Sequence, residues 1–253
     1  MSVSTKLNSE YLSKKEAILQ LVSSFENEGT IIMKGSRNII KSNFLDDEKV
    51  TIKFFAPPGL IKSIIYSFFK DSKAKRSFDY ANYLIKNDVQ TPKPIAFIEE
   101  KNSFGLLKNS YYLCSHIDYD FTIRELIHNP IFPERIIILQ QFTAFTFKMH
   151  EAKINFLDHS PGNTLIVKKY NSSYDFYLID LNRMKFENMS IETRMDNFKK
   201  MWLSKTMISI ISNSYAKLSG YSERLIFQIL SERTRKFKLK TARKKYLKLK
   251  FSL

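Results

Sequence analysis

Short alternating apolar runs fill the first half of the chain, and apolar residues at helical spacing fill the second. Thr30–Lys34 (TIIMK) is β-rich, Gly35-Ser36-Arg37-Asn38 has turn chemistry, and Ile39–Phe44 is a second strand. Asp46-Asp47-Glu48 marks the next turn, and Val50–Phe55 (VTIKFF) is a third strand stopped by Pro57-Pro58-Gly59. Leu60–Lys70 carries Ile61, Ile64, Ile65, Phe68 and Phe69 at helical spacing, which fits a helix packed on the sheet or an interfacial face. Lys73–Lys86 is predicted as a helix with Phe78, Ala81, Leu84 and Ile85 on one face, ending before Thr91-Pro92-Lys93-Pro94. Ile95–Glu99 and Tyr111–Ser115 complete a five-stranded N-terminal lobe.

Beyond it, Ile138, Phe142, Phe145 and Met149 define a buried helix over about Pro133–His150. Thr164–Lys168 and Phe176–Ile179 are two strands joined by Asn171-Ser172-Ser173. Helical patterns fill Ile191–Leu218 and Ser222–Lys238. Strands first and helices later predict an α+β architecture.

Charge changes this picture at one end. The chain has 253 residues, with 41 Lys and Arg against 25 Asp and Glu, a net charge of +16. Ten of the basic residues and no acid lie between Arg233 and Leu253, so the remainder carries only +6. That tail is the part of the chain that demands an acidic partner. The lone cysteine, Cys114, allows no internal disulfide and suits a reducing compartment. The first twenty residues hold no apolar signal-peptide core, and the most apolar stretch, Leu60–Phe69, is half of what a bilayer needs. A cytoplasmic protein, peripheral at most on the inner face of the cytoplasmic membrane, is the expectation.

The candidate chemistry lies in Asn155–Asp180. Asp158 and Asn163 sit five apart in a loop after a buried helix, and Asp180 follows a hairpin. This suits phosphoryl transfer: Asp158 can accept the proton of an acceptor hydroxyl, while Asn163 and Asp180 offer the hard oxygens that Mg²⁺ prefers. Lys53 is the one charge inside Val50–Phe55. Alternation sets it with Thr51 and Phe55, opposite Ile52 and Phe54, where it can neutralise nucleotide phosphates. Taken singly, a strand lysine is more often a solvated edge charge, and an Asp and Asn five apart often arise by chance. Their order along the chain is what raises the signal.

In Val50-Thr-Ile-Lys53, Thr91-Pro-Lys-Pro-Ile95, Phe147-Lys-Met-His150, Asn155-Phe-Leu-Asp158-His-Ser-Pro-Gly-Asn163 and Leu178-Ile-Asp180-Leu-Asn-Arg183, the chain resembles the protein-kinase-like fold. The resemblance is strongest to the lipopolysaccharide kinase (Kdo/WaaP) family of bacteria and runs from about Gly29 to Lys185. It implies one kinase-like domain over 1–253, with an N-lobe (1–115) of five antiparallel strands and a helix, a mostly helical C-lobe (116–232) and a basic tail (233–253). It implies Asp158 as catalytic base, Lys53 on the phosphates of ATP, Asn163 and Asp180 as Mg²⁺ ligands, and Tyr112-Leu-Cys114-Ser as the hinge beside the adenine.

The acceptor it implies is a glycolipid sugar hydroxyl, on Kdo or a heptose of lipopolysaccharide core. Leu157 stands where protein kinases place an arginine, which argues against activation-loop control. With no G-x-G-x-x-G, Gly35-Ser-Arg37-Asn38 would cover the phosphates. Asp79 is the nearest acidic candidate to pair with Lys53, although it points away from the apolar face of its helix. His150 is expected to cap its helix C-terminus, where positive charge is favourable, and His159 to contact an anionic acceptor or nothing.

The tail, Arg233–Lys250, interleaves basic residues with Phe237, Leu239, Tyr246 and Leu249. Such stretches gain about 1 kcal/mol per basic residue at an anionic lipid surface, so an inner-leaflet membrane surface is the expected partner. A solvated helix without a specific partner is the plain alternative. Two rival functions remain: a pseudokinase or interaction module, and a tail-driven RNA-binding protein. The body shows no aromatic RNA-binding signature, and no specific nucleic-acid partner is expected.

Overall fold

The computed structural model describes residues 2–35, 38–57, 59–68 and 70–251. The chain divides into two units, Met1–Asp118 and Tyr119–Leu253.

The first unit is an antiparallel sheet of six strands rather than five. They are β1 (Ser2–Leu7), β2 (Thr30–Lys34), β3 (Asn38–Leu45), β4 (Glu48–Phe55), β5 (Pro94–Lys101) and β6 (Leu107–Ser115), in the order β1-β5-β6-β4-β3-β2. The additional strand is β1, which pairs along β5 from Ser2↔Lys101 to Leu7↔Ala96. Its sequence, SVSTKL, has too few apolar residues to announce a strand, and its pairing partner lies some ninety residues away. Helix α1 (Lys15–Ser23) covers one face, burying Ile18 and Val22 against Val50, Ile52, Ile98 and Leu113.

Lys41 of β3 is buried beneath the end of α1. Its ammonium donates to the carbonyls of Phe25 (2.5 Å), Glu26 (3.1 Å) and Glu28 (2.9 Å), meeting acceptors that the helix end leaves open.

Helix α2 (Leu60–Phe68) is tethered to β6 through hydroxyls. Ser63 donates to the Leu107 carbonyl at 2.6 Å, and Ser67 accepts from the Leu107 N–H at 2.8 Å. Ile64 and Ile65 stay about 40% exposed, so the expected apolar face is only half covered. The side chains of Ile61 and Phe68, and the whole of Phe69, lie outside the described residues. Helix α3 (Lys73–Lys86) starts at Ser72, whose hydroxyl accepts from the Lys75 N–H. It buries Ala74, Ser77, Phe78, Ala81 and Leu84, and Phe78 meets Phe97 of β5 edge-on at 5.5 Å. Ile85, expected on this face, is instead exposed.

The second unit opens with β7 (Phe121–Thr122) and α4 (Ile123–His128). The Thr122 hydroxyl accepts from the Arg124 N–H at 3.2 Å while Glu125 accepts from the Thr122 N–H at 2.8 Å, a reciprocal cap. Helix α5 (Arg135–Glu151) runs through the core, with Ile138, Leu139, Phe142 and Met149 fully buried. Then come β8 (Ile154–Phe156), β9 (Thr164–Lys168), β10 (Tyr174–Leu178) and β11 (Met184–Phe186). They form a three-stranded sheet, β10-β9-β7, and a two-stranded one, β11-β8. Asn171 and Ser172, both at positive φ, make the tight turn between β9 and β10.

The expected long helix over Ile191–Leu218 is broken in two. Helix α6 (Ile191–Asn197) tightens into a 3₁₀ turn (Phe198–Met201), Trp202 turns left-handed at φ 55°, and Ser204 caps α7 (Lys205–Ser219). Helix α8 (Glu223–Phe251) is continuous through the basic tail. Ile226, Leu230 and Thr234, spaced by four, are buried against the core, so the first part of the tail belongs to a packed helix. From Ala242 to Phe251 every residue is exposed.

Candidate active site

Asp158 stands in a loop held at both ends by backbone pairing. Leaving β8, the Leu157 N–H donates to the Arg183 carbonyl at 3.0 Å, prolonging the β8–β11 ladder. The His159 N–H reaches back to the Phe156 carbonyl at 3.1 Å, and the Asn163 N–H to the Ser160 carbonyl at 2.9 Å. The amide nitrogen of Asn163 donates to the Asp158 carbonyl at 2.8 Å, which ties the two ends of the five-residue spacing together. That bond commits Nδ2 to the loop and aims Oδ1 elsewhere.

Two cations face the Asp158 carboxylate. Lys200 Nζ donates to Oδ1 at 2.7 Å and also to the Leu157 carbonyl at 2.7 Å, while Arg183 Nη1 lies 3.6 Å from Oδ2. Both ends of the Lys200–Asp158 pair are about three-quarters buried, so solvent screens it only in part.

Behind the loop lies a buried polar network. Asn197 Nδ2 donates to the Phe156 carbonyl (2.9 Å) and to Asn155 Oδ1 (3.0 Å), and Asn155 Nδ2 donates to Glu187 at 3.0 Å. Asn197 Oδ1 accepts from His159 Nδ1 at 3.0 Å, so His159 carries its proton on Nδ1. His150 Nδ1 lies 2.9 Å from the Tyr215 hydroxyl. Burial pushes the His150 imidazole down to about 3, with the neighbouring His159 adding to the effect, and pushes His159 down to about 4. The Nε2 atoms of both rings are buried and find no hydrogen-bond partner among the described residues, so a second proton on either ring would meet no acceptor there. These findings correct two expectations: His150 is a neutral core residue rather than a charged helix cap, and His159 is turned inward, away from any anionic acceptor.

Asn163 and Asp180 lie at the same end of the β9–β10 hairpin. Thr164 pairs with Leu178, and the Ile179 N–H donates to the Asn163 carbonyl at 3.0 Å, which sets Asp180 one residue past that bond. Asp180 is left-handed at φ 59°, a conformation that Asp tolerates better than most residues, and its Oδ1 accepts from Asn182 at 2.8 Å. One amide oxygen and one carboxylate make the sparse, hard donor set that Mg²⁺ accepts when phosphate oxygens complete its shell. Among the described residues, no group of three or more His, Cys, Asp or Glu side chains could hold a metal.

In the first unit, Lys53 lies opposite Tyr112 in the β4–β6 register, with its ammonium 5.4 Å from the centre of the Phe55 ring. Lys53 and Phe55 thus share a face, as alternation predicts. Cys114 is fully buried; desolvation pushes its thiol up to about 12, against the pull of the Lys53 charge, so it is a protonated core residue. Asp79 is engaged by Lys75 at 3.1 Å and Lys6 at 3.8 Å. The phosphate-covering turn assigned to Gly35–Asn38 includes Ser36 and Arg37, which lie outside the described residues.

Lys200, Asn197 and Arg183 are the site residues whose roles the sequence alone does not reveal. Lys200 follows another lysine in a helical stretch and looks like a solvated charge. Only the fold, across 42 residues, brings it to Asp158.

No curated protein matches the chain in sequence. Among solved structures the chain is similar to "WaaP in complex with acyl carrier protein", with a TM-score of 0.65 and 12% identity over 93% of this chain and 98% of that one. At that identity the likeness shows the fold, which is the kinase-like α+β architecture of WaaP. The model of the "Lipopolysaccharide kinase (Kdo/WaaP) family" matches residues 58–221, which is more than half of the chain. The protein therefore belongs to the lipopolysaccharide kinase (Kdo/WaaP) family.

Proposed function

We propose that the protein transfers the γ-phosphoryl group of ATP, with Mg²⁺, to a sugar hydroxyl of lipopolysaccharide core, on Kdo or a heptose. The observation that carries this reading is the joining of Asp158 and Asn163 within one loop while the hairpin returns Asp180 beside Asn163. In this reading Asp158 orients the acceptor hydroxyl and takes its proton. Lys200 and Arg183 hold that carboxylate in one rotamer. Asn163 and Asp180 would hold the metal, which supplies charge stabilisation for the transferring group. Lys53 would neutralise nucleotide phosphates.

The exposed end of α8, rich in Lys and Arg, would hold the protein at an anionic inner-leaflet surface, near a glycolipid acceptor. No helix among the described residues is long and apolar enough to cross a membrane. The work would then be done in the cytoplasm and on the inner face of the cytoplasmic membrane.

The test is transfer of radiolabelled phosphate from ATP to purified envelope glycolipids, with wild type compared to Asp158→Asn. Label in wild type, reduced about a hundredfold or more in the variant, is expected for loss of a general base. Mg·ATP should raise the melting temperature, and Asp180→Ala should abolish that rise. Neither transfer nor stabilisation would leave the pseudokinase reading in its place.

A further inference from the structure

Helix α2 reverses the usual arrangement of a helix packed on a sheet. A surface helix ordinarily turns its apolar stripe inward and its polar residues to water. Here the serines go in. Ser63 is buried, and its hydroxyl donates to the Leu107 carbonyl at 2.6 Å. Ser67, four positions on, accepts from the Leu107 N–H at 2.8 Å and donates to the Ser63 carbonyl at 2.7 Å. At about 100° per residue, Ile65 stands about 200° round the helix from Ser63, and Ile64 about 100°. Both isoleucines are exposed, each at 41%. The two hydroxyls find their partners, so the arrangement satisfies its polar groups and leaves apolar side chains in water.

A third exposed apolar side chain belongs to the same corner of the first unit. Leu107, which both serines hold, begins β6, and the β5–β6 turn lies just before it. In that turn Asn102 Oδ1 accepts from the N–H groups of Phe104 (2.9 Å) and Leu106 (3.0 Å), and the Asn102 carbonyl accepts from the Gly105 N–H at 3.0 Å. The braced turn presents the Phe104 ring at 82% exposure. Single surface hydrophobes are ordinary, but a ring held out by an ordered turn beside a helix with its isoleucines outward marks a surface with a use.

The charge around it selects the occupant. Residues 60–70 and 101–108 hold Lys62, Lys70, Lys101 and Lys108 and no acid. The acids just outside are engaged, Asp71 by Lys75 at 2.9 Å and Glu100 by Asn109 at 2.7 Å. Lysine is depleted at protein–protein interfaces. At a bilayer its stem lies along the acyl boundary while its ammonium meets lipid phosphate. Aliphatic and aromatic side chains framed by lysines match an anionic lipid surface.

We infer that this corner, Ile64 and Ile65 of α2 with Phe104 of the β5–β6 turn, inserts into the headgroup boundary of an anionic bilayer. The inference goes beyond the role given to the end of α8, which attracts by charge and lies in the second unit. Stable attachment to a membrane surface takes two signals. Charge on the tail collects the protein and shallow apolar insertion by the first unit holds it, so neither suffices alone. Nothing in this depends on phosphoryl transfer.

Cys114 is buried, so the full-length Phe104→Cys variant carries one accessible thiol for an environment-sensitive dye. With vesicles of phosphatidylglycerol and phosphatidylethanolamine, the dye emission should shift to the blue and be quenched by lipids brominated on their acyl chains. Vesicles of phosphatidylcholine should give neither change. In the unlabelled chain, Ile64→Asn with Ile65→Asn should weaken binding to the anionic vesicles roughly tenfold or more. Its melting temperature should stay within about 2 °C of wild type, because both side chains are exposed. The dye measurement leaves α2 untouched, so it decides the matter even where the double variant fails to fold.

A dye that stays water-like while the protein sediments with the vesicles would overturn the inference. So would a folded double variant that binds as tightly as wild type, or a wild type that binds no vesicles. Lipid-free association in the ultracentrifuge, present in wild type and lost in the double variant, would assign the face to a second copy and overturn it as well. The vesicle experiment uses neither nucleotide nor glycolipid acceptor. If phosphate transfer fails while the dye reports insertion, the kinase reading falls and the membrane face stands; if transfer holds while the dye is silent, the reverse is true.

Discussion

Acidification from pH 7.5 to pH 5 should destabilise the second unit by about 4 kcal/mol, through two histidines alone. His150 and His159 are neutral in the fold, with values pushed down to about 3 and about 4 by burial. In the unfolded chain each titrates near 6.5. A group whose folded value is depressed in this direction binds protons in the unfolded state first, so stability is full above about pH 6.5 and falls as pH drops towards the folded values. At pH 5 each unfolded imidazole gains about 2 kcal/mol by protonation while the folded ones stay neutral, and the two together give about 4 kcal/mol. Carboxylates with depressed values, such as Glu125 in its cap, act only below the ordinary carboxylate range and leave this window clear. His116 in the first unit shifts the same way, through burial and then the Lys49 charge, but reports on the other unit.

The assay is urea unfolding followed by Trp202 emission, which belongs to the second unit. With a slope of about 2 kcal/mol per molar, the midpoint should fall by about 2 M between pH 7.5 and pH 5. The doubly substituted chain, His150→Gln with His159→Gln, should start lower and lose little more on acidification. Long-range ¹H–¹⁵N spectra offer a check that does not depend on the variant folding: both rings should be neutral at pH 5, with His159 protonated on Nδ1. A midpoint that moves by under 0.5 M, or a His159 ring that is doubly protonated at pH 5, would refute the reasoning.

Three further outcomes are expected. Lys200→Met should lower phosphate transfer roughly ten- to a hundredfold while leaving Mg·ATP stabilisation in place, and an unchanged rate would show that the pair with Asp158 is incidental. Asn197→Ala deprives the Phe156 carbonyl, Asn155 and His159 of their partner, and by buried-polar costs should lower stability about 2–4 kcal/mol in urea titrations; a loss below 1 kcal/mol would contradict the network. Ending the chain after Thr241 should abolish binding to vesicles rich in anionic lipid with the melting temperature nearly unchanged, whereas ending it after Glu232 also removes the buried Thr234 and the Lys238 bond to the Leu203 carbonyl and should lower it by several degrees. Equal vesicle binding by the first truncated chain would remove the membrane role from the tail.

The sequence displays an element clearly where one neighbouring run carries the whole signal. Strands β2 to β6, helix α3 and the β9–β10 hairpin come from alternation, helical spacing and turn residues that lie within a dozen positions of each other. Strand β1 does not, because a polar edge strand is defined by the backbone of β5 rather than by its own side chains. The break at Trp202 is equally hidden: the apolar periodicity of α6 and α7 reads straight through it, and only the packing of Met201 and Leu203 into the core demands the turn. For the candidate site, Asp158, Asn163 and Asp180 are proposed from their order in the chain. Lys200 and Asn197 are single polar residues whose partners lie about forty positions away, and nothing local separates them from solvated ones. The histidines mislead for a related reason, since charge at a helix end is a local argument and their neutrality is set by distant neighbours.

The site loop is held by two unlike means, and the difference matters for how it can work. Its base rests on neutral, fully buried groups, where Asn197 fixes the Phe156 carbonyl and His159 without bringing charge into the core. Its open side is held by the charges of Lys200 and Arg183, which remain partly solvated. Neutral anchors give geometry at little desolvation cost, whereas charges buried that deeply would need full pairing. In the proposed reading the cations sit where nucleotide and acceptor would bring negative charge of their own, and anions collected there need an excess of positive groups. A loop held only by charge would shift with every change in bound anions, and a loop held only by neutral groups could not gather them. Placing rigidity behind Asp158 and charge in front of it lets one short segment do both.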